Sequence, residues 1–378
     1  EDLNGSGTLS LWYEYIPESA STKEGTVPMV VLMHGNTNDP RTQYDTSGWA
    51  QVAEKYGIIL VCPEWQGHTY QGYTYEPMTA DSNATPKSDM IKMLEGVIAK
   101  YPQIDASRVY ISGLSAGSRN TTNACLSNPD FFAAGAGQSG PFGIDATNEA
   151  QVAAFKDQYD MPIIFFTGDG DEYCKGAFDN NGLAGNGGLQ VARAYQELND
   201  MEVDDPENLN EDTLFLYGVS WDRIDQYQAN EEIIANFDIG YMENDKGVEI
   251  AMARIYGWGH WNFAPDAELM WEFMSKYARD LETGESIRLD LVDLATQESL
   301  EELAALVAKA KQEVNKTDLY TAKEVEEWNK QIGLAEAVLA DANAKQATVD
   351  DSIAALKALF KTPAAPEEKP ETPEKPAE

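Results

Sequence analysis

The stretch Val-Tyr-Ile-Ser-Gly-Leu-Ser-Ala-Gly-Ser at 109–118 decides how the rest of the chain is read. Val109–Ile111 reads as a short buried strand, and residues 116–127 read as a helix. Between them lies Gly113-Leu114-Ser115-Ala116-Gly117, a G-x-S-x-G pentapeptide in strand–turn–helix context. Such a turn is tight, and side chains at its two glycine positions would collide with neighbouring structure. It holds the central serine in a strained conformation, with Oγ above the sheet at a helix N-terminus that favours developing negative charge. Ser115 is the expected nucleophile. The bland alternative is a glycine-rich turn with an incidental serine, and the partner residues decide between the two.

A serine nucleophile needs a base. The chain has three histidines, His34, His68 and His260. In this type of fold the order is Ser, then Asp or Glu, then His. Only His260 follows Ser115, in Gly257-Trp258-Gly259-His260-Trp261, just after the last expected strand. His34 is expected to brace its own loop. The acid should follow a strand between Ser115 and His260. The strand 162–167 runs into Gly168-Asp169-Gly170-Asp171-Glu172, which leaves Asp169, Asp171 and Glu172 as candidates. The acid would accept the imidazole N–H, fix the tautomer and stabilise imidazolium. An oxyanion hole needs two N–H donors. One is the backbone N–H of Ala116. The other comes from His34-Gly35-Asn36-Thr37, with Asn36 the expected donor and Thr37 next.

Outward from this centre, strands are expected at 8–16, 28–33, 58–62, 133–137, 162–167 and 248–255, and helices at 88–100 and 266–279. The strands are apolar on both faces and alternate with helices, so the fold class is α/β: a mostly parallel sheet covered by helices on each side. The polar stretch between Asp171 and Val248, with one helix at Leu189–Leu198, reads as an insertion near the mouth of the site. Residues 64–75 form an aromatic, glycine-containing loop. Trp65, Tyr70, Tyr73, Trp258 and Trp261 are candidate substrate-wall residues, and Trp221 is a further one.

Composition shifts near residue 285, giving a first domain over 1–285 and a helical module over 289–361. Helices at 297–314, 321–341 and 346–360 each carry an apolar stripe, as a small three-helix bundle requires. Ser299/Glu302, Thr321/Glu324 and Thr348/Asp351 read as their start signals. The Pro/Glu-rich stretch 362–378 reads as a semi-rigid tail or linker.

Across 378 residues, 64 acidic side chains face 27 basic ones, a net charge of −37. That field disfavours nucleic acid and anionic lipid as partners. No run of about 18 apolar residues exists, so no membrane insertion is expected. The chain begins at Glu1, which reads as a mature protein whose targeting segment has been removed. Cys62, Cys125 and Cys174 fit no zinc spacing; one disulfide with one free thiol, or three buried thiols, are both open. No HExxH, GxxxxGK[ST] or GxGxxG pattern appears, so no metal, nucleotide or other cofactor is predicted.

VVLMHGN (30–36), VYISGLSAGS (109–118), NPDFFAAGAGQSG (128–140) and GWGHWNF (257–263) together resemble the esterase family that groups polyhydroxybutyrate depolymerases with feruloyl and acetylxylan esterases. The resemblance covers roughly residues 8–280. It implies an α/β-hydrolase domain, no cofactor and hydrolysis of carboxylic esters through an acyl-enzyme. Its motifs fall on Ser115 and His260, and its pattern favours Asp171 as the acid. The long segment between acid and histidine departs from that pattern. Residues 289–361, through YTAKEVEEW (320–328) and AEAVLADANAKQATVDDSIAAL (335–356), resemble the FIVAR-type module of Gram-positive surface proteins. That implies secretion or display on the surface of a Gram-positive bacterium, with cell-wall or carbohydrate association through the module. The expected activity is deacylation of plant polysaccharides at feruloyl or acetyl esters. A polyester depolymerase, a small-molecule acyl esterase, and an adhesion protein with a vestigial hydrolase domain are the alternatives.

Overall fold

Successive side chains in a strand point to opposite faces, so strands that are apolar throughout need cover on both sides. The computed structural model of the chain provides it. Residues 7–360 are described, apart from 71–72, 76–77, 79–88, 141–158, 175–187, 292–294, 317–319 and 341–343 and positions 68, 206, 232 and 296. His68 and the Pro/Glu-rich stretch 362–378 therefore lie outside the described residues. The chain divides into two compact units, Glu1–Leu289 and Asp290–Glu378.

The first unit opens with β1 (Trp12–Tyr15), β2 (Val27–Met33), α1 (Pro40–Thr46), α2 (Trp49–Tyr56) and β3 (Ile59–Pro63). A short hairpin of β4 (Thr69–Tyr70) and β5 (Tyr73–Thr74) follows, then α3 (Asp89–Lys100), β6 (Ile104–Leu114) and α4 (Ala116–Ser127). Next come β7 (Ala134–Gln138), β8 (Ile163–Gly168), α5 (Gly188–Leu198) and a 3-10 turn over Glu211–Leu216. The unit closes with β9 (Arg223–Tyr227), β10 (Phe237–Glu243), β11 (Glu249–Ile255), α6 (Asp266–Met274), β12 (Tyr277–Arg279) and β13 (Ser286–Arg288).

Nine of these strands form one sheet in the order β1-β3-β2-β6-β7-β8-β11-β10-β9. The run from β3 to β11 is parallel, while β1, β10 and β9 pair antiparallel at the two ends. Period-2 alternation splits the core into two layers. Met29, Val31, Val109, Ile111, Ile163 and Phe165 face one way, and α3, α4 and α5 cover them. Val30, Leu32, Tyr110, Ile164, Phe166 and Ala253 face the other way, beneath α2 and α6.

Three expectations are corrected here. The stretch between Asp171 and Val248 is not a plain insertion, because β9 and β10 extend the sheet from within it. Polar residues such as Asp238 interrupt β10, so a search for continuous apolar runs passes over it. The closing helix stops at Met274, and Tyr277–Arg279 instead pairs with Ser286–Arg288. That pairing carries the first unit to Leu289 rather than to 285. All three cysteines are free and buried, so no disulfide forms among them.

In the second unit, α7 (Gln297–Val314), α8 (Ala322–Ala340) and α9 (Gln346–Leu359) bury Leu303, Val307, Trp328, Ile332, Val349 and Leu356 against one another. Thr321 and Glu324 form a reciprocal capping box: Thr321 N–H donates to Glu324 Oε2 at 2.7 Å, and Glu324 N–H donates to Thr321 Oγ1 at 3.4 Å. Ser299 and Thr348 are not caps, since their helices begin at Gln297 and Gln346.

Asp266 opens α6 with 1% of its surface exposed and neither carboxylate oxygen hydrogen-bonded among the described residues. Burial pushes its carboxyl well above the usual range, and the nearby Gln138 amide opposes this less than burial drives it. The folded state thus holds a proton that the unfolded chain releases above about pH 4. Asp266 therefore costs increasing stability as pH rises above that point. Asp266→Asn is expected to raise the thermal midpoint at pH 8 and to leave it nearly unchanged at pH 4, read by near-UV circular dichroism. A difference that does not vary with pH would contradict this.

Candidate active site

Why the chain turns so sharply after β6 is visible in what its glycines touch. A Cβ on Gly117 would lie 2.2 Å from the Met33 carbonyl oxygen, and one on Gly113 would lie 2.5 Å from the Gly117 backbone. No side chain fits at either position. Between them Ser115 adopts φ 55° and ψ −117°, a conformation that costs a non-glycine residue about 1–3 kcal/mol. Two backbone bonds hold it there: Ser115 N–H to Gln138 O at 2.8 Å and Arg119 N–H to Ser115 O at 3.1 Å.

The structure brings Ser115, His260 and Asp171 into one hydrogen-bonded chain. Ser115 Oγ lies 2.7 Å from His260 Nε2, and His260 Nδ1 lies 2.7 Å from Asp171 Oδ2. Asp171 is fully buried. Its other oxygen accepts the backbone N–H groups of Tyr173 at 2.8 Å and Cys174 at 3.2 Å. These donors fix the orientation of the carboxylate. The imidazole is thus placed to take a proton from the serine while its positive charge is balanced at Nδ1.

The rival carboxylates lie elsewhere. Asp169 Oδ2 accepts from Arg254 Nε at 3.0 Å and Nη2 at 2.7 Å, and Asp169 Oδ1 accepts the Gly257 N–H at 2.6 Å. It ties the acid loop to the histidine loop, and the bond from Gly170 N–H to Trp258 O at 3.0 Å adds a second tie. Gly168 is required there, since its Cβ would lie 2.2 Å from Trp258 O. Glu172 is exposed.

Ala116 begins α4, where the first N–H groups of a helix have no partner within it. Asn36 sits in the turn closed by Asn38 N–H to Gly35 O at 3.1 Å. Among the described residues, neither the Ala116 nor the Asn36 N–H meets an acceptor. Thr37, at φ 64°, donates its own N–H to Gln66 Oε1 at 2.8 Å, so of the two loop candidates Asn36 has the open donor. The Gln66 amide also donates to Asn36 Oδ1 and fixes that side chain.

Of the candidate wall residues, Trp65 is a brace: it stacks on buried His34 at 5.3 Å and donates to His34 O at 2.8 Å. His34 is fully buried, with Nε2 3.4 Å from Glu64 Oε1, and it supports its loop rather than meeting Ser115. Trp258 packs edge-on to Phe263 at 4.9 Å, and Trp221 donates to Leu216 O at 2.9 Å against the core. Trp261 remains 43% exposed beside His260. Tyr70 and Tyr73 lie on the hairpin, and their side chains fall outside the described residues.

Sequence reading missed three contributors. Arg254, at the end of β11, anchors Asp169. Ser139, at φ 53°, donates its hydroxyl to Trp261 O at 3.0 Å and accepts the Cys174 thiol at 3.3 Å, joining both loops to β7. Tyr173 lies with its ring centroid 4.7 Å from that of His260. An arginine near the end of a mostly apolar strand was a readable signal; the other two were not. Asp171, Cys174 and His260 also offer ligand atoms within 4.8 Å of one another. Burial, first of all, with Asp171 beside it, pushes the Cys174 thiol far above its ordinary range and keeps it protonated, which disfavours metal ligation.

Comparison with known proteins places part of this frame. Residues 26–165 match the Peptidase_S9 model, described as the prolyl oligopeptidase family. The protein named "Probable acetylxylan esterase A" from Aspergillus fumigatus is 32% identical over 152 residues, 39% of this chain and 39% of its own length. Feruloyl esterase B from Neurospora crassa is 31% identical over 129 residues, 34% of this chain and 43% of its own. The chain thus spans less than half of the curated relatives it matches. An acetyl xylan esterase from Aspergillus awamori superposes with a TM-score of 0.47 at 16% identity, covering 72% of this chain and 97% of that one.

Asp171→Asn is expected to lower ester turnover by about three to four orders of magnitude. Asp169→Asn should lower it by at most about a hundredfold, through a displaced histidine loop. Steady-state rates on p-nitrophenyl acetate check the ranking, and the reverse order would move the acid role to Asp169. With its central parallel sheet, its serine elbow and its segmental kinship to acetylxylan and feruloyl esterases, the chain has the α/β-hydrolase fold.

Proposed function

We propose that the chain is a secreted serine carboxylic-ester hydrolase that removes acetyl or feruloyl groups from plant polysaccharides. The observation that carries this reading is the unbroken chain of 2.7 Å contacts from Asp171 through His260 to Ser115 on a strained elbow. In the proposed reaction, Ser115 Oγ attacks the ester carbonyl as His260 Nε2 takes its proton. The carbonyl oxygen becomes an oxyanion held by the N–H groups of Ala116 and Asn36. His260 then protonates the departing alkoxide, the C–O bond breaks, and the acyl group remains on Ser115. Water, deprotonated by His260, releases the acid and restores the serine.

The choice of ester over peptide bond draws on the named relatives, which are acetylxylan and feruloyl esterases. The matched peptidase-family segment ends at residue 165, before the acid and the histidine, so it does not speak to the bond cleaved. The second unit, with its FIVAR-like sequence, is proposed to be a spacer or carbohydrate-associating module on a Gram-positive cell surface.

Purified protein is expected to hydrolyse p-nitrophenyl acetate, and Ser115→Ala to abolish this. Equal rates in the two proteins would remove Ser115 from the reaction. On arabinoxylan, chromatography of released acetate and ferulate identifies the acyl group. Release of neither would turn the reading towards polyester or small-molecule esters.

A further inference from the structure

His260 fixes where the two halves of an ester must lie. Its Nε2 is 2.7 Å from Ser115 Oγ, and the same nitrogen must later reach the leaving oxygen to protonate it. The alcohol half of the substrate therefore departs past the imidazole, while the acyl half stays on the serine. The ring of Tyr173 lies tilted beside this imidazole, with centroids 4.7 Å apart and planes inclined by 56°. Its backbone is pinned by the bond from Tyr173 N–H to Asp171 Oδ1 at 2.8 Å. Yet Tyr173 remains 75% exposed, the most open of the large hydrophobic side chains among the described residues. Apart from the imidazole it has no ring partner among those residues. A ring with a pinned backbone, open to solvent and next to the imidazole that must reach the leaving oxygen, offers a flat apolar face to an alcohol bound beside His260.

We propose that Tyr173 is the platform of the leaving-alcohol subsite, and that the alcohol it takes is a sugar ring, whose C–H face lies on the phenol. This rests on the ester-hydrolase reading above and adds to it the residue that receives the sugar alcohol. A small alkyl alcohol covers little of such a face, whereas a pyranose covers most of it. No charge is asked of the ligand.

The test compares acetyl esters of two alcohols, an acetylated xylo-oligosaccharide and ethyl acetate, in wild type, Tyr173→Ala and Tyr173→Phe. The quantity read is the ratio of kcat/KM on the sugar ester to that on ethyl acetate. The ratio is expected to fall roughly three- to tenfold in Tyr173→Ala, mainly through KM, and to be retained in Tyr173→Phe. An unchanged ratio with both rates lowered would mean that the ring only props His260, and would overturn the proposal. Equal losses in the Phe and Ala variants would assign the effect to the hydroxyl and would also overturn it. A binding titration separates this from failure of the hydrolase reading. With Ser115→Ala as background, the deacetylated xylo-oligosaccharide is expected to bind several-fold more weakly once Tyr173→Ala is added, even if no ester is ever cleaved. Equal binding in the two proteins counts against the subsite.

Discussion

Everything in the site hangs on one place where two backbones approach too closely for any side chain between them. The first turn of α4 rests on the end of β2, and the atom that would separate them, a Cβ on Gly117, would sit 2.2 Å from the Met33 carbonyl oxygen and 2.7 Å from that of His34. This approach aims the helix N-terminus at the loop that follows β2. It brings the Ala116 and Asn36 N–H groups to the same end of the sheet. It also forces the turn into which Ser115 is strained. The bonds from Ser115 to Gln138 and Arg119 keep that strain from relaxing.

Asp171 and His260 arrive by a different device. Their loops follow β8 and β11, which are direct neighbours in the sheet. The two loops are stitched by Asp169, Arg254 and the Gly170–Trp258 backbone bond, and Ser139 reaches both from β7. The polar groups in these stitches carry no chemistry of their own. They fix the angle at which the imidazole meets the serine, and catalysis is sensitive to such angles.

This division explains what was legible in the sequence. The elbow was legible because its demands are local: two glycines that nothing can replace, a strand before and a helix after. His260 was legible because only one histidine follows Ser115. The parallel strands announced themselves as apolar runs. β9 and β10 did not, because an antiparallel strand at the side of a sheet mixes polar with apolar residues. Which of Asp169 and Asp171 meets Arg254 and which meets His260 depends on contacts between residues 85 and 89 positions apart. The roles of the tryptophans were set by burial in three dimensions. Trp65 stacks on His34 and Trp258 packs on Phe263, while the exposed Tyr173 lies in a polar loop that carries no sequence signal.

Among the described residues the sheet ends at β9, whose outer backbone groups have no further strand to pair with. An unpaired edge is a template on which a second molecule can add its own strand. Here the last strand reads Arg-Ile-Asp-Gln-Tyr, with charged side chains at Arg223 and Asp225 in ion-pair contact at 3.2 Å. A docking strand would have to strip water from both. Each molecule also carries a net charge of −37, so two such edges repel before they meet. Pairing of two molecules through the β9 edge is therefore disfavoured even at high protein concentration.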